Sequence, residues 1–267
     1  MKHFVLALVA AATLSVPATA QNRVKNVYTS SRTLDVQMLQ NNDQTVQLNR
    51  YLFAGYNTLC LPMSMSADQL SAAEVSVERL AAIAQQGTVL RLYFIDCTSE
   101  GIEAGMPYLV YSAKQQYLRA KTTEAETISS ELTTVRMTDD KGNQVAFSSS
   151  WEAVEKDGLY GIPAQQNVTP LESVLIRTSA DKSFLPTRCG FSWEQQSPTA
   201  SDIEIVHINS LAELGALGIS SLNSPDALVD VYDLKGNVVR RQVKNADVKN
   251  SLPRGLYIVG GQKVSVN

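Results

Sequence analysis

Histidine is nearly absent from this chain. One of its two copies, His3, lies among the first residues, which leaves His207 alone in the remainder. Metal sites and acid–base machinery lean on imidazole, which titrates near neutral pH and binds metals as the neutral base. A single histidine in Glu204-Ile205-Val206-His207-Ile208 reads as a strand residue. The chain also lacks a Gly-x-Ser-x-Gly elbow, a phosphate loop, a His-Glu-x-x-His helix and a dinucleotide fingerprint. No cofactor or metal is expected, and no catalytic residue is assigned. Basic excess is missing too: the formal net charge is -3. Nothing is left over to neutralise a phosphate backbone, so nucleic acid is not an expected partner. Cysteine is scarce and odd in number, with Cys60, Cys97 and Cys189 at irregular spacing. That excludes a disulfide framework or a zinc site. Cys60 and Cys97 sit in apolar strand-like runs and are the first candidates for a pair. Three buried, inert thiols is the plainer reading.

Long apolar runs are also lacking, apart from Phe4 to Leu14. That run falls short of the ~20 residues a membrane-spanning helix needs. Lys2 and His3 precede it, Val16-Pro17 breaks it, and Ala18-Thr19-Ala20 supplies small residues suited to a signal peptidase. Residues 1–20 therefore read as a signal peptide, cleaved between Ala20 and Gln21 with Ala18 in the recognition pocket. No cysteine follows the apolar core, which argues against a lipoprotein anchor. The chain is expected to be secreted or displayed on the outer cell surface, by way of the periplasm. Asn167-Val168-Thr169 matches a glycosylation triplet but is followed by Pro170, and it is set aside.

What the chain has in quantity is short β-prone runs between turn residues. At 44% hydrophobic and 18% charged it is too apolar for disorder. Asn22 to Gln47 alternates loosely and predicts one or two half-exposed strands. Tyr51-Leu52-Phe53, Thr58-Leu59-Cys60, Thr88 to Cys97, Tyr108 to Tyr111, Leu132 to Met137 and Gln144 to Phe147 predict further strands. So do Gly158 to Pro163, Ser173 to Arg177, Ser183 to Pro186 and Cys189 to Trp193. Ser66 with Gln69 three residues on forms a capping box, which predicts a short helix over 67–73. Beyond it, Val75 to Ala84 fits a helical face slightly better than a strand. The fold class is all-β: an antiparallel, jelly-roll-like β-sandwich over residues 21–200, then a small C-terminal β-sandwich module. Gln195 to Asp202 is the linker. The module runs over 201–267 with its core at 228–267, and Ile203 to Ile208 is a candidate bridging strand.

Three constellations suggest chemistry and have plainer readings. Asp139-Asp140-Lys141-Gly142-Asn143 could hold calcium, but it lacks alternating ligands and a distant glutamate, and reads as a hairpin turn. Glu152, Glu155 and Asp157 near Trp151 could be a glycosidase pair, or a solvated loop. Trp151, Trp193, Tyr108, Tyr111, Tyr117 and Tyr160 could stack on a glycan, although strand aromatics more often fill a core.

The last forty residues carry the most specific pattern. They run Val231-Tyr232-Asp233-Leu234-Lys235-Gly236-Asn237-Val238-Val239, then Leu252-Pro253-Arg254-Gly255-Leu256-Tyr257-Ile258-Val259, then Gly261-Gln262-Lys263-Val264. This stretch resembles the C-terminal sorting domain of type IX secretion cargo in the Bacteroidota. The resemblance implies that Tyr232, Asp233, Gly236, Pro253, Gly255, Tyr257, Gly261, Lys263 and Val264 form a sorting motif. It further implies that outer-membrane export machinery is a partner. The body, from Tyr56 to Trp193, resembles a β domain of unknown function in the same secretomes. Its matching pieces are Tyr56 to Pro62, Glu103 to Val110, Gly158 to Gly161 and Phe184 to Arg188. That likeness implies a hairpin from Val75 through Ile95. The expected function is a noncatalytic surface or secreted protein that binds or scaffolds, with a glycan or a protein as ligand. The alternatives are a structural subunit that polymerises by strand exchange, and a glycan-active hydrolase.

Overall fold

Turn residues and period-two runs dominate the chain, and strands are what they build. The computed structural model describes residues 24–40, 45–122, 128–155, 158–163, 175–179, 183–195, 201–217, 219, 228–244, 247–259 and 262–266. The elements begin with β1 (Val24–Tyr28), α1 (Val36–Gln40), β2 (Thr45–Leu52), β3 (Gly55–Leu59), α2 (Ala67–Ala72), β4 (Val75–Gln86), β5 (Val89–Asp96), β6 (Tyr108–Ser112) and β7 (Gln116–Lys121). They continue with β8 (Val135–Thr138), β9 (Gln144–Ser149), β10 (Val154–Glu155), β11 (Tyr160–Gly161), β12 (Ile176–Arg177), β13 (Ser183–Phe184) and β14 (Cys189–Glu194). Last come β15 (Asp202–Ile208), α3 (Leu211–Ala216), β16 (Leu228–Tyr232), β17 (Val238–Lys244), α4 (Val248–Ser251), β18 (Gly255–Val259) and β19 (Gln262–Val266). The fold is all-β, with several largely antiparallel sheets and a few short helices.

Two five-stranded sheets make the body, in the orders β15-β5-β4-β6-β3 and β12-β11-β14-β9-β8. They meet through fully buried phenylalanines. Phe147 and Phe191 stack with ring centroids 4.3 Å apart, and the Phe94 ring meets them edge-on at 5.7 and 6.1 Å. A third sheet, β1-β2-β7, lies beside them. Two pairings are parallel, β1 with β2 and β15 with β5, where the sequence predicted antiparallel strands throughout.

Local chemistry explains most elements. Ser66 Oγ accepts the Gln69 N–H at 3.3 Å while Gln69 Oε1 accepts the Ser66 N–H at 2.7 Å, so the capping box is formed. Residues 36–40 form α1 and not the expected strand. Asp35 Oδ1 accepts the Met38 N–H at 2.9 Å, and Val36 and Leu39, three apart, share the buried side. The stretch from Val75 to Asp96 is a hairpin turned at Gly87 (φ +62°), as expected for Val75 through Ile95, and not the helix that spacing alone slightly favours. A bulge between Leu80 and Ala82 breaks the alternation and makes the strand imitate a helical period.

The final sheet has the order β17-β16-β18-β19 and, among the described residues, pairs with no strand of the body. It is a single sheet and not the expected small sandwich. Its second face is not needed, because Val229, Val231, Val259 and Val266 join the core of the body. The expected boundary at residue 201 also moves. β15 pairs along its whole length with β5, so it belongs to the body and the terminal sheet begins at Leu228. Asp230, almost wholly buried, accepts a hydrogen bond from Arg79 of β4 at 3.3 Å and ties the two parts together.

Candidate functional site

The expected sorting residues build two local devices. In the β16–β17 turn, the Asp233 carboxylate accepts the N–H groups of Lys235 (2.8 Å) and Asn237 (2.9 Å) and the Asn237 side-chain amide (2.9 Å). Those bonds, the Asn237 side chain first, hold the Asp233 carboxyl below its usual range. Gly236 supplies the positive φ of +86° that closes the turn. In the second device, the Tyr257 hydroxyl donates to the Pro253 carbonyl at 3.0 Å. Its ring lies against Gly255, where a Cβ would approach it to 3.2 Å. Tyr232 pairs with Ile258, and Lys263 and Val264 of β19 pair with Ile258 and Tyr257 of β18. Gly261, and Ala18, Ala20 and Gln21 at the expected cleavage site, lie outside the described residues. β17 and β19 are the sheet's two edges.

Cys60 and Cys97 are not bridged; all three thiols are free and buried. The backbone gives Cys60 and Cys97 different neighbours. The Cys60 N–H donates to the Thr187 carbonyl at 3.0 Å, whereas Cys97 donates its N–H to Val77 at 2.9 Å. The loop before β14 is the neighbour of Cys60, because the Cys189 N–H bonds Thr58 Oγ1 at 2.9 Å. Burial pushes the Cys60 and Cys97 thiols up to about 12.

His207 lies in β15, but it has partners that the sequence did not reveal. Its Nδ1 is 2.6 Å from Glu78 Oε2, and its ring stacks on Tyr56 at 4.2 Å. The Tyr56 hydroxyl donates to the other Glu78 oxygen at 3.1 Å. Burial, and then the Glu78 charge, push the Tyr56 phenol up. Both carboxylate oxygens are thus engaged, and the trio clamps β3, β4 and β15. The remaining constellations resolve as follows. Asp139 accepts the N–H groups of Lys141 and Asn143, which is turn chemistry. Glu155 pairs on the surface with Arg32, Glu152 is exposed, and Asp157 lies outside the described residues. Among the described residues, no group of three or more potential metal ligands is assembled.

Of the aromatics expected to stack on a glycan, Tyr108 is buried, and Trp151 donates its indole N–H to Ser130 at 2.8 Å while packing on the core. Trp193 and Tyr160 also pack on the core. Tyr111 is exposed beside Tyr56, with ring centroids 5.1 Å apart. Tyr117 lines a cavity of about 300 Å³ that it shares with Tyr28, Tyr51, Arg50 and Arg188. Tyr117 meets Tyr28 and Tyr51 edge-on, at 5.8 and 5.2 Å. A second cavity of about 360 Å³, lined by Phe53, Tyr56 and Phe184, holds the same two arginines. A third of about 310 Å³ also reaches Arg188. The sequence reading missed both arginines. The signal available was Arg50 within the apolar-alternating β2, and Arg188 in the Leu185-Pro186-Thr187-Arg188 loop, neither with an acidic neighbour in sequence.

No protein-family model matches the chain, and neither a curated protein nor a solved structure matches it.

Proposed function

We propose that this chain is an exported, noncatalytic binding protein of a bacterial surface, and that its terminal sheet is a sorting or anchoring element. The observation that carries this reading is that the sheet has a ladder of its own, although its valines pack into the core of the body. Among the described residues it pairs with no strand of the body and keeps two edge strands, β17 and β19. Unpaired edges are templates on which another chain can add a strand. The leader at residues 1–20 and the tail's likeness to type IX sorting domains support the same reading. The body supplies the binding function through the cavities around Arg50, Arg188 and the tyrosines. Deleting residues 252–267 tests the proposal, with surface delivery followed in a type IX-competent host. Delivery should fail, and normal delivery overturns the reading. Because the deletion also removes buried Val259 and Val266, a companion variant, Leu256→Asp, alters only an exposed position of β18. The same open edges favour a second reading, strand addition between copies, and a native mass above that of the monomer would support it.

A further inference from the structure

Arg50 is only 4% exposed, yet no carboxylate among the described residues neutralises it. One terminal nitrogen bonds the Tyr51 carbonyl and the other bonds the Thr58 carbonyl at 3.3 Å, while Nε has no hydrogen-bond partner among the described residues. Arg188, partly buried, has no acidic partner among the described residues either. The two charges are close enough that Arg188 adds to the effect of burial in weakening the proton affinity of Arg50. Desolvating two like charges side by side costs folding energy, and a buried charge is normally paired. Strain marks the same place. Thr187, a β-branched residue, sits at φ +68° immediately before Arg188, with its hydroxyl buried and unpartnered. Such a conformation persists only where the surroundings enforce it, and these sites cluster at ligand clamps.

The missing element is negative charge, and the neighbours indicate its carrier. Both arginines line the cavity walled by Tyr28, Tyr51 and Tyr117. Tyr28 is 54% and Tyr117 44% exposed, so their rings are open to a ligand and not occupied by a core. Guanidinium forks match the planar geometry of a carboxylate, or the oxygens of a sulfate. Rigid, amphipathic tyrosine rings suit a partner with one apolar face and a hydroxylated rim, which is what a pyranose offers. Each cavity lies at the small end of the range for small-molecule pockets.

Resting on the reading of the body as a binding domain, we propose that Arg50 and Arg188 form an anion site for an acidic saccharide. Its carboxylate or sulfate sits at the guanidiniums and its ring lies against Tyr28 and Tyr117. The site is built before the ligand arrives, so Arg188 is kept at the expense of the unliganded fold.

Calorimetry on the purified chain tests this with four probes: a glucuronic acid oligomer, a glucose oligomer, inorganic sulfate and an acidic peptide. The glucuronic acid oligomer should bind most tightly, and the glucose oligomer should show no binding. Arg188→Ala should weaken the acidic oligomer at least tenfold while leaving the melting temperature of the free chain unchanged or higher. Tyr117→Ala should weaken the acidic oligomer and spare sulfate. Sulfate binding as tightly as the sugar acid, unaffected by Tyr117→Ala, overturns the saccharide assignment. So does tighter binding of the peptide. If no probe binds, or if Arg188→Ala leaves binding intact, the anion site is overturned. A lower melting temperature for unliganded Arg188→Ala would mean that Arg188 serves the fold, and it also counts against the proposal. None of these results touches the sorting role, which is read by delivery and not by binding.

Discussion

The ion pair between Arg79 and Asp230 is the sharpest place to test how the terminal sheet is held. Asp230 is nearly sealed from water, and the Arg79 side chain is 11% exposed. The carboxylate also accepts the Gln242 N–H at 2.9 Å, and Gln242 sits at a positive φ of 51°. Asp230→Asn preserves the shape and an acceptor for Gln242 but strands the Arg79 guanidinium, whose Nε is already unpartnered. Removing one member of a buried pair costs about 3–5 kcal/mol, because the other remains desolvated without compensation. That is a large share of a typical total stability of about 5–15 kcal/mol. Arg79→Met should cost a similar amount by stranding the carboxylate. The double variant should cost less than the sum, with a coupling of about 2 kcal/mol. The neighbouring Arg241–Glu100 contact, at 3.8 Å and largely exposed, should contribute under about 1 kcal/mol. Urea unfolding followed by tryptophan fluorescence reports the body, since Trp151 and Trp193 both lie there. Hydrogen exchange of the β16 and β18 amides reports the terminal sheet. The two should lose protection together, because Val231 and Val259 share the core of the body. A loss below about 1 kcal/mol for Asp230→Asn, or strict additivity in the double variant, would refute the reasoning.

Two further predictions concern backbone and thiols. Alanine at Gly105 (φ +75°) would place a Cβ 2.1 Å from the Glu131 carbonyl oxygen, whereas Gly87 (φ +62°) faces open space. Gly105→Ala should lower stability by more than about 3 kcal/mol. Gly87→Ala should lower it by only the roughly 1–2 kcal/mol of left-handed strain, as thermal melts would show. The thiols should be silent in the native state. With Cys60 and Cys97 pushed up to about 12 by burial, alkylation at pH 8 should require unfolding. A thiol whose folded value is raised stabilises the fold fully below the ordinary value of 9.0 and loses that contribution as pH climbs toward about 12. Stability should therefore decline from about pH 9 upward, and labelling of the folded chain at pH 8 would contradict this.

The parts of the fold governed by neighbours in sequence were legible. The Ser66–Gln69 cap, the Gly142 and Gly236 turns and the alternation of β9 depend on residues a few positions apart. Contacts across long separations were not. The His207 ring finds Glu78 across more than a hundred residues, and Cys60 finds the loop before Cys189 instead of Cys97. β15 looked like part of the tail because it follows a linker, but it is an edge strand of the body through its parallel ladder to β5. The arginine cavities were invisible for the same reason. Arg50 and Arg188 are unremarkable singly, and their meaning lies in being brought together without an acid.

The β8–β9 and β16–β17 hairpins close on one pentapeptide formula, Asp-x-Lys-Gly-Asn, with matching bonds from the aspartate. At 139–143 the two ends of the turn, Asp139 and Asn143, are buried, and Asn143 and Lys141 reach across to Gln85 at 3.0 and 3.1 Å. At 233–237 the aspartate's hydrogen-bond partners among the described residues are confined to its own turn, and the loop is open to water. The chain thus contains its own reference compound: comparing aspartate substitutions at the two sites separates what a bend is worth by itself from what it gains as a rivet between sheets. That recurrence also means that Asp233, Gly236 and Asn237 speak first of hairpin closure. Any address read by a transporter must be written in the residues around them.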